Sequence, residues 1–98
     1  MAYIYILKLE QNKWYVGYSK HPEKRIHKHI NSNSKANWIK LYPVLQVEAI
    51  IKGTREKENE VTIAYMSKYG IDNVRGGDWS QPKMTKTPPK LFEYIDYP

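Results

Sequence analysis

The chain contains no cysteine, and this absence excludes two kinds of site. It can form neither a disulfide framework nor a thiolate metal centre, so any metal must bind to oxygen or imidazole ligands. It also contains no apolar run close to the ~20 residues that span a bilayer, and the first residues lack a basic leader segment. We therefore expect an intracellular protein, of the cytoplasm or of a nucleus or viral host, that does not contact a membrane.

Acidic residues are in the minority, with ten Asp and Glu against sixteen Lys and Arg, which gives a net charge of +6. The excess is concentrated between Lys20 and Lys40, where five lysines and one arginine are opposed only by Glu23. A local field of this sign attracts phosphate groups. An ordinary solvated basic surface explains the same charge, so the charge alone does not identify a function.

Hydrophobic spacing predicts a single small α/β (α+β) domain. Its 98 residues include nine Tyr and three Trp, which supply a large core area per residue. Alternation and turn residues predict the order β-β-α-β-α, with strands at 2–9, 14–18 and 44–51 and helices at 22–30 and 54–69. We expect a three-stranded antiparallel sheet flanked by helices, within a domain of residues 1–80. Residues 81–98, which contain four prolines, are expected to pack on the domain or to trail from it.

The second helix carries one acidic residue on its apolar face. At 100° per residue, Glu58 lies in line with Val61, Thr62, Tyr65 and Tyr69, whereas its acidic neighbours point away. A carboxylate on a buried face must be paired, protonated or bound to a cation, because an isolated buried charge is very costly. The alternative is that the first turn is still hydrated there and the helix dipole stabilises the acid.

Helix 22–30 and the first two strands carry the other candidates. Ile26 and Ile30 are predicted to be buried, with Arg25 and His29 side by side at the edge of that face. Arginine can bind a phosphate with two parallel hydrogen bonds, and histidine can transfer a proton near neutral pH. The alternative is a helix surface with no special role. The many tyrosines of the hairpin are either core residues or, near a cation, candidates for a base.

Taken together, these residues resemble the GIY-YIG nuclease family. YIY at 3–5 stands in the position of GIY, with Tyr3 in place of the glycine, and YVG at 15–17 stands in the position of YIG. The sequence from 58 to 77 is similar to phage and viral members in particular. The resemblance covers residues 3–79, and the matching positions outside the two strand motifs are Arg25, His29, Glu58 and Asn73.

The resemblance implies an endonuclease that hydrolyses DNA with a single Mg²⁺ or Mn²⁺. Glu58 is then the only protein ligand of the metal, and water and the scissile phosphate complete an oxygen shell. Of the two tyrosines, the resemblance does not settle which is the general base; we favour Tyr5 for that role and Tyr15 for positioning. Arg25 is expected to clamp the phosphate and His29 to accept or relay the proton.

Two further positions carry expectations from the same resemblance. Asn73 is expected to hold the phosphate or to fix the end of the active-site wall. Gly17 is expected at a point where the backbone must be approached closely.

Binding of DNA, whether branched or single-stranded, is assigned to a basic strip of surface residues. Such backbone contacts carry little sequence specificity. We expect a monomer or a weak homodimer. The residues expected to bind DNA are Lys20, Lys24, Lys28, Lys35, Lys40 and Arg75.

Two other functions agree with the same sequence. The first is a non-catalytic nucleic-acid-binding module that stacks exposed aromatic rings on single-stranded bases. The second is a small interaction protein whose tyrosines are only core residues, which predicts no salt-sensitive affinity for DNA.

Overall fold

A computed structural model describes residues 1–31 and 36–79. Lys35 and the proposed extension 81–98 lie outside the described residues. The elements are strands β1 (Tyr3–Leu9) and β2 (Lys13–Ser19), helices α1 (Pro22–Ile30) and α2 (Asn37–Leu41), strand β3 (Val44–Lys52), helix α3 (Arg55–Tyr69) and strand β4 (Val74–Gly76). Short 3-10 turns at Glu10–Asn12 and Ile71–Asn73 precede β2 and β4. None of the helices in this part of the chain is long and apolar enough to cross a bilayer.

The sheet has four strands in the order β3-β1-β2-β4, so the prediction of three strands was wrong. β1 pairs antiparallel with β2 and with β3, as expected, whereas β4 pairs parallel with β2. β4 is only three residues long and ends in Gly76. A segment this short shows no measurable alternation of apolar residues, and for that reason its sequence resembles a loop.

β1 is buried on both faces, as its sequence predicts. Ile4 and Ile6 face α3 and join one hydrophobic cluster with residues of β2, α3 and β4. Tyr5, Leu7 and Leu9 face the opposite side and pack against Ile26, Trp38 and Ile39 of α1 and α2. The sheet therefore lies between α3 on one side and α1 with α2 on the other.

Helix α1 presents a different face to the sheet from the one predicted. Ile26 is buried, but Ile30 is 54% exposed and His29 is only 6% exposed. The spacings 26–30 and 26–29 both place residues on one face of a helix, so the sequence does not choose between them. Packing decides that His29 is buried and Ile30 exposed, because the imidazole contacts Tyr5 and Tyr15 of the sheet.

Helix α3 begins where the sequence indicates. Thr54 is its N-cap, and the Lys57 backbone N–H donates to Thr54 Oγ1 at 3.3 Å. Gly70 follows its last turn with a φ of 99°, a conformation that favours glycine. The buried residues of α3 are Glu58, Thr62, Ile63 and Met66. Glu58 therefore points inward, one turn before the fully buried Thr62.

Candidate active site

Tyr5 occupies the space left by the missing side chain of Gly17. The two residues are directly opposite in the β1–β2 ladder. A Cβ atom added to Gly17 would lie 2.1 Å from Tyr5 Cζ and 2.3 Å from its hydroxyl oxygen. Any side chain at position 17 would therefore displace the phenol ring. The close approach expected at Gly17 is made by this ring.

Helix α1 places His29 against the same phenol. The Tyr5 hydroxyl and His29 Nε2 share a hydrogen bond of 2.8 Å in a buried environment. Tyr15, on the neighbouring strand, completes a group of three rings. Its ring centroid lies 6.3 Å from that of Tyr5 and 5.4 Å from that of His29. The site predicted from three separate segments is thus one contiguous cluster at Tyr5, Tyr15 and His29.

Burial determines the protonation of this cluster. It raises the pKa of both Tyr5 and Tyr15, while the nearby Arg25 guanidinium acts in the opposite direction. Burial, together with the smaller effect of the positive charge of Arg25, lowers the pKa of His29 to about 4. At neutral pH the phenols are therefore protonated and the imidazole is neutral. A neutral imidazole beside a phenol can accept a proton from it.

Arg25 lies at the edge of this cluster. It is on the exposed side of α1, and its guanidinium lies close enough to the Tyr5 phenol to lower the pKa of that phenol. This position combines proximity to the phenol with a guanidinium that solvent can reach. Such a group can bind an incoming anion without leaving the cluster.

Glu58, in the first turn of α3, lies close enough to this cluster for its charge to act on both phenols. Its side chain is 7% exposed, and its negative charge helps to raise the pKa of both Tyr5 and Tyr15. Burial raises the pKa of Glu58 itself, against the opposing effects of Arg55 and of a hydrogen bond from the Gly77 backbone N–H. Among the described residues the only salt bridge joins Lys57 and Glu60. Glu58 is thus a buried carboxylate without a direct ion pair in that part of the chain.

A turn after β4 positions the N–H group that binds Glu58. The Gly76 and Trp79 backbones exchange hydrogen bonds of 2.9 and 2.8 Å. Asn59 Nδ2 donates to Asp78 Oδ2 at 2.9 Å, and the Asp78 N–H donates to Asn59 Oδ1 at 3.0 Å. A Cβ atom on Gly77 would lie 2.0 Å from Asn59 Oδ1. Sequence analysis missed these supporting residues; the signal that could have found them is the pair Gly76-Gly77, because both glycines have a positive φ in the structure.

Glu58 is the residue near this cluster that could hold a hard cation. Within residues 1–31 and 36–79, no three His, Asp or Glu side chains come together as a metal-binding group. A hard cation such as Mg²⁺ keeps several waters and commonly uses one or two carboxylates. Glu58, buried and lacking an ion pair among the described residues, has the chemistry that such an ion would satisfy.

Asn73 lies away from this cluster, at the opposite end of β4 from Gly77. Lys13 Nζ donates to Asn73 Oδ1 at 2.7 Å, and Asn73 Nδ2 donates to the Tyr69 carbonyl at 2.7 Å. Both ends of the amide are therefore engaged in joining the end of α3 to the sheet. This placement favours a structural role over contact with a phosphate.

The basic residues separate into two groups. Lys20, Lys24, Lys28 and Lys40 are exposed on or beside α1 and α2. Arg75 is only 3% exposed, donates to the Ile71 and Val74 carbonyls and lies over the Trp38 ring at 4.5 Å. We therefore leave Arg75 out of the candidate DNA-binding surface, because its guanidinium is used inside the fold.

Comparison with known proteins identifies one family. The family model of the GIY-YIG catalytic domain matches residues 1–67, which include Tyr5, Tyr15, Arg25, His29 and Glu58. No curated protein and no solved structure gave a significant match. The family match covers 67 of the 98 residues, more than half of the chain.

Proposed function

Because the chain belongs to the GIY-YIG family, we propose that it is a metal-dependent DNA endonuclease acting through the cluster of Tyr5, Tyr15, Arg25, His29 and Glu58. The observation that best supports this proposal is the 2.8 Å hydrogen bond between the Tyr5 hydroxyl and His29 Nε2 beside a buried carboxylate. A core made only for stability would gain little from a buried acid that has no ion pair within residues 1–31 and 36–79. Five polar groups that meet in this way have the composition of a hydrolytic site.

Tyr5 and His29 are proposed to remove the proton from the attacking water. Because burial raises the pKa of Tyr5, its phenol enters the reaction protonated. As the water oxygen attacks phosphorus, the phenol oxygen accepts the water proton and passes its own proton to neutral His29 Nε2. The bond from phosphorus to the 3′ oxygen breaks, and solvent protonates the leaving oxygen. Proton transfer of this kind is worth ~10²–10⁴-fold in rate.

Arg25 and Glu58 are proposed to stabilise the phosphate from two sides. The Arg25 guanidinium can neutralise the charge that develops on the non-bridging oxygens. Glu58 would hold Mg²⁺ or Mn²⁺, which when bound supplies positive charge to the phosphate and the leaving oxygen. The Gly77 N–H and the Asn59–Asp78 contacts keep this carboxylate oriented. Tyr15 packs beside His29 and limits the positions of both Tyr5 and the imidazole.

The exposed lysines are proposed to bind the DNA backbone. Lys20, Lys24 and Lys28 belong to α1 or lie just before it, on the element that also carries Arg25. Contacts of this kind orient a strand without reading its bases, so we expect little intrinsic sequence specificity. Lys35 is included from the sequence alone.

Cleavage of supercoiled plasmid tests the proposed activity. The full chain is incubated with plasmid in Mg²⁺, in Mn²⁺ and in EDTA, together with the Tyr5→Phe variant and with Tyr69→Phe as a control outside the cluster. We expect metal-dependent nicking by the wild type and by Tyr69→Phe, and a loss of ~10²-fold or more in Tyr5→Phe. Binding without cleavage in every condition would instead identify a non-catalytic nucleic-acid-binding module.

A further inference from the structure

A pocket of about 480 Å³ lies where α1 begins, beside the proposed active site. Tyr3 and Ile50 form its wall on the sheet, and Lys20, His21 and Lys24 line the other side together with Glu23. Ile50 is 42% exposed, so part of its aliphatic side chain is open to a ligand in this pocket. None of these residues has a role in the proton transfer described above.

The chemistry of the two walls is that of a nucleotide site. One wall offers a phenol ring and an aliphatic side chain, on which a planar base can stack. The other offers two lysines and a histidine against one acid, which attracts phosphate. The volume is within the range of ~300–1,000 Å³ that is usual for pockets binding small molecules.

The pocket adjoins the proposed active site through two elements. Tyr3 and Tyr5 point to the same face of β1 and lie two residues apart, or roughly 6.6 Å along the strand. Ile50 is the ladder partner of Tyr5 on β3, and Lys24 precedes Arg25 on α1. A strand whose phosphate lies at Arg25 can therefore place a neighbouring nucleotide in the pocket.

We propose that this pocket binds one unpaired nucleotide of the DNA substrate, with its base against Tyr3 and Ile50 and its phosphate beside Lys20 and Lys24. This inference rests on the proposed nuclease function and specifies its substrate class. A base inside a duplex has both faces covered by its neighbours, so only a flap, a branch or a single-stranded end can fill the pocket. Tyr3, which stands where the family motif has glycine, then determines the choice of substrate.

Binding in EDTA tests the pocket separately from catalysis, because no cleavage is needed. Fluorescence anisotropy measures the affinity of the full chain for a short single-stranded oligonucleotide and for a duplex of the same length. Loss of one stacked base predicts that Tyr3→Ala weakens single-strand binding about five- to tenfold and leaves duplex binding within twofold. Tyr3→Phe keeps the ring and should bind as the wild type does.

A second variant keeps the test decisive if Tyr3→Ala does not fold. The double variant Lys20→Gln with Lys24→Gln should reduce the salt dependence of single-strand binding by about 1.4 in the logarithmic slope, since it removes two phosphate contacts. Lys68→Gln, an exposed lysine at the end of α3, serves as the matched control and should leave the slope unchanged. Equal losses for single strand and duplex in Tyr3→Ala, or an unchanged slope in the lysine variant, would overturn the proposal. A protein that binds in this way but never cuts would refute the nuclease assignment and leave the pocket intact.

Discussion

Replacement of Gly17 by alanine tests the steric contact that sets the position of the Tyr5 ring. The added Cβ would lie 2.1 Å from Tyr5 Cζ and 2.5 Å from Cε1, well inside normal contact distance. Tyr5 is fully buried and shares a hydrogen bond with His29, so its ring has little free space into which to move. Overpacking of a buried site costs ~1–3 kcal/mol. We expect a loss of about 2 kcal/mol, which lowers the melting temperature of a domain this size by about 8 °C or more.

A double-mutant cycle with Tyr5→Leu separates this contact from other effects of the substitution. Leucine lacks the two ring atoms and the hydroxyl oxygen that approach position 17, so Gly17→Ala should cost much less in the Tyr5→Leu background. We expect a coupling free energy of ~1–2 kcal/mol, measured by urea or thermal unfolding of the four proteins. Cleavage by the Gly17→Ala single variant should also fall, because the phenol no longer meets His29 at its present distance. An equal penalty in both backgrounds would refute the steric argument.

The remaining predictions concern buried polar groups. Burial raises the pKa of Glu58, so the charged carboxylate destabilises the metal-free fold above that pKa. Glu58→Gln should therefore raise the melting temperature in EDTA at pH 8. This gain in melting temperature should shrink towards pH 4.5, where the carboxylate is increasingly protonated. The pKa of His29 is lowered to about 4 in the folded protein, so between about pH 6.5 and 4 the unfolded chain binds more protons than the folded protein does. Acidification from pH 6.5 to 4 should therefore reduce the free energy of unfolding by as much as about 3 kcal/mol. His29→Gln should abolish that part of the pH dependence in denaturant titrations, and an unaltered profile would contradict it. Arg75→Gln should lower the melting temperature and leave the affinity for DNA within twofold, because the guanidinium donates to the Ile71 and Val74 carbonyls inside the fold. A large loss of DNA affinity in a folded Arg75→Gln variant would show instead that Arg75 contacts DNA.

Long periodic segments could be predicted from sequence because their local signals are strong. Thr54 and Gly70 bound α3, and alternation identifies β1, β2 and β3 with end points within one or two residues of those observed. β4 could not be predicted, since three residues ending in glycine have no periodicity and their pairing with β2 depends on the whole intervening chain. The parallel pairing of β4 with β2 is decided by the tertiary packing of the whole domain and not by the local sequence.

Those candidate site residues could be predicted whose polar side chain falls on a buried face of a helix or strand. Glu58 is such a residue, because an acid in line with the buried Thr62 requires an explanation. The positions of His29 and Arg75 were not predictable, since a helix face or a strand end does not show which polar groups packing will bury. The same holds for the Asn59–Asp78 contacts, which join residues nineteen positions apart through their side chains.

The most direct test of the proposed mechanism compares two acids of the same helix. Glu58 is 7% exposed and lies close to the tyrosine cluster, whereas Glu60 is more than half exposed and pairs only with Lys57 at 3.9 Å. The measurement is the rate of plasmid nicking in Mn²⁺ by the wild type, Glu58→Gln and Glu60→Gln, each shown to be folded by circular dichroism. The mechanism predicts that Glu58→Gln loses all metal-dependent nicking and that Glu60→Gln cuts at the wild-type rate. Undiminished cleavage by folded Glu58→Gln would contradict it.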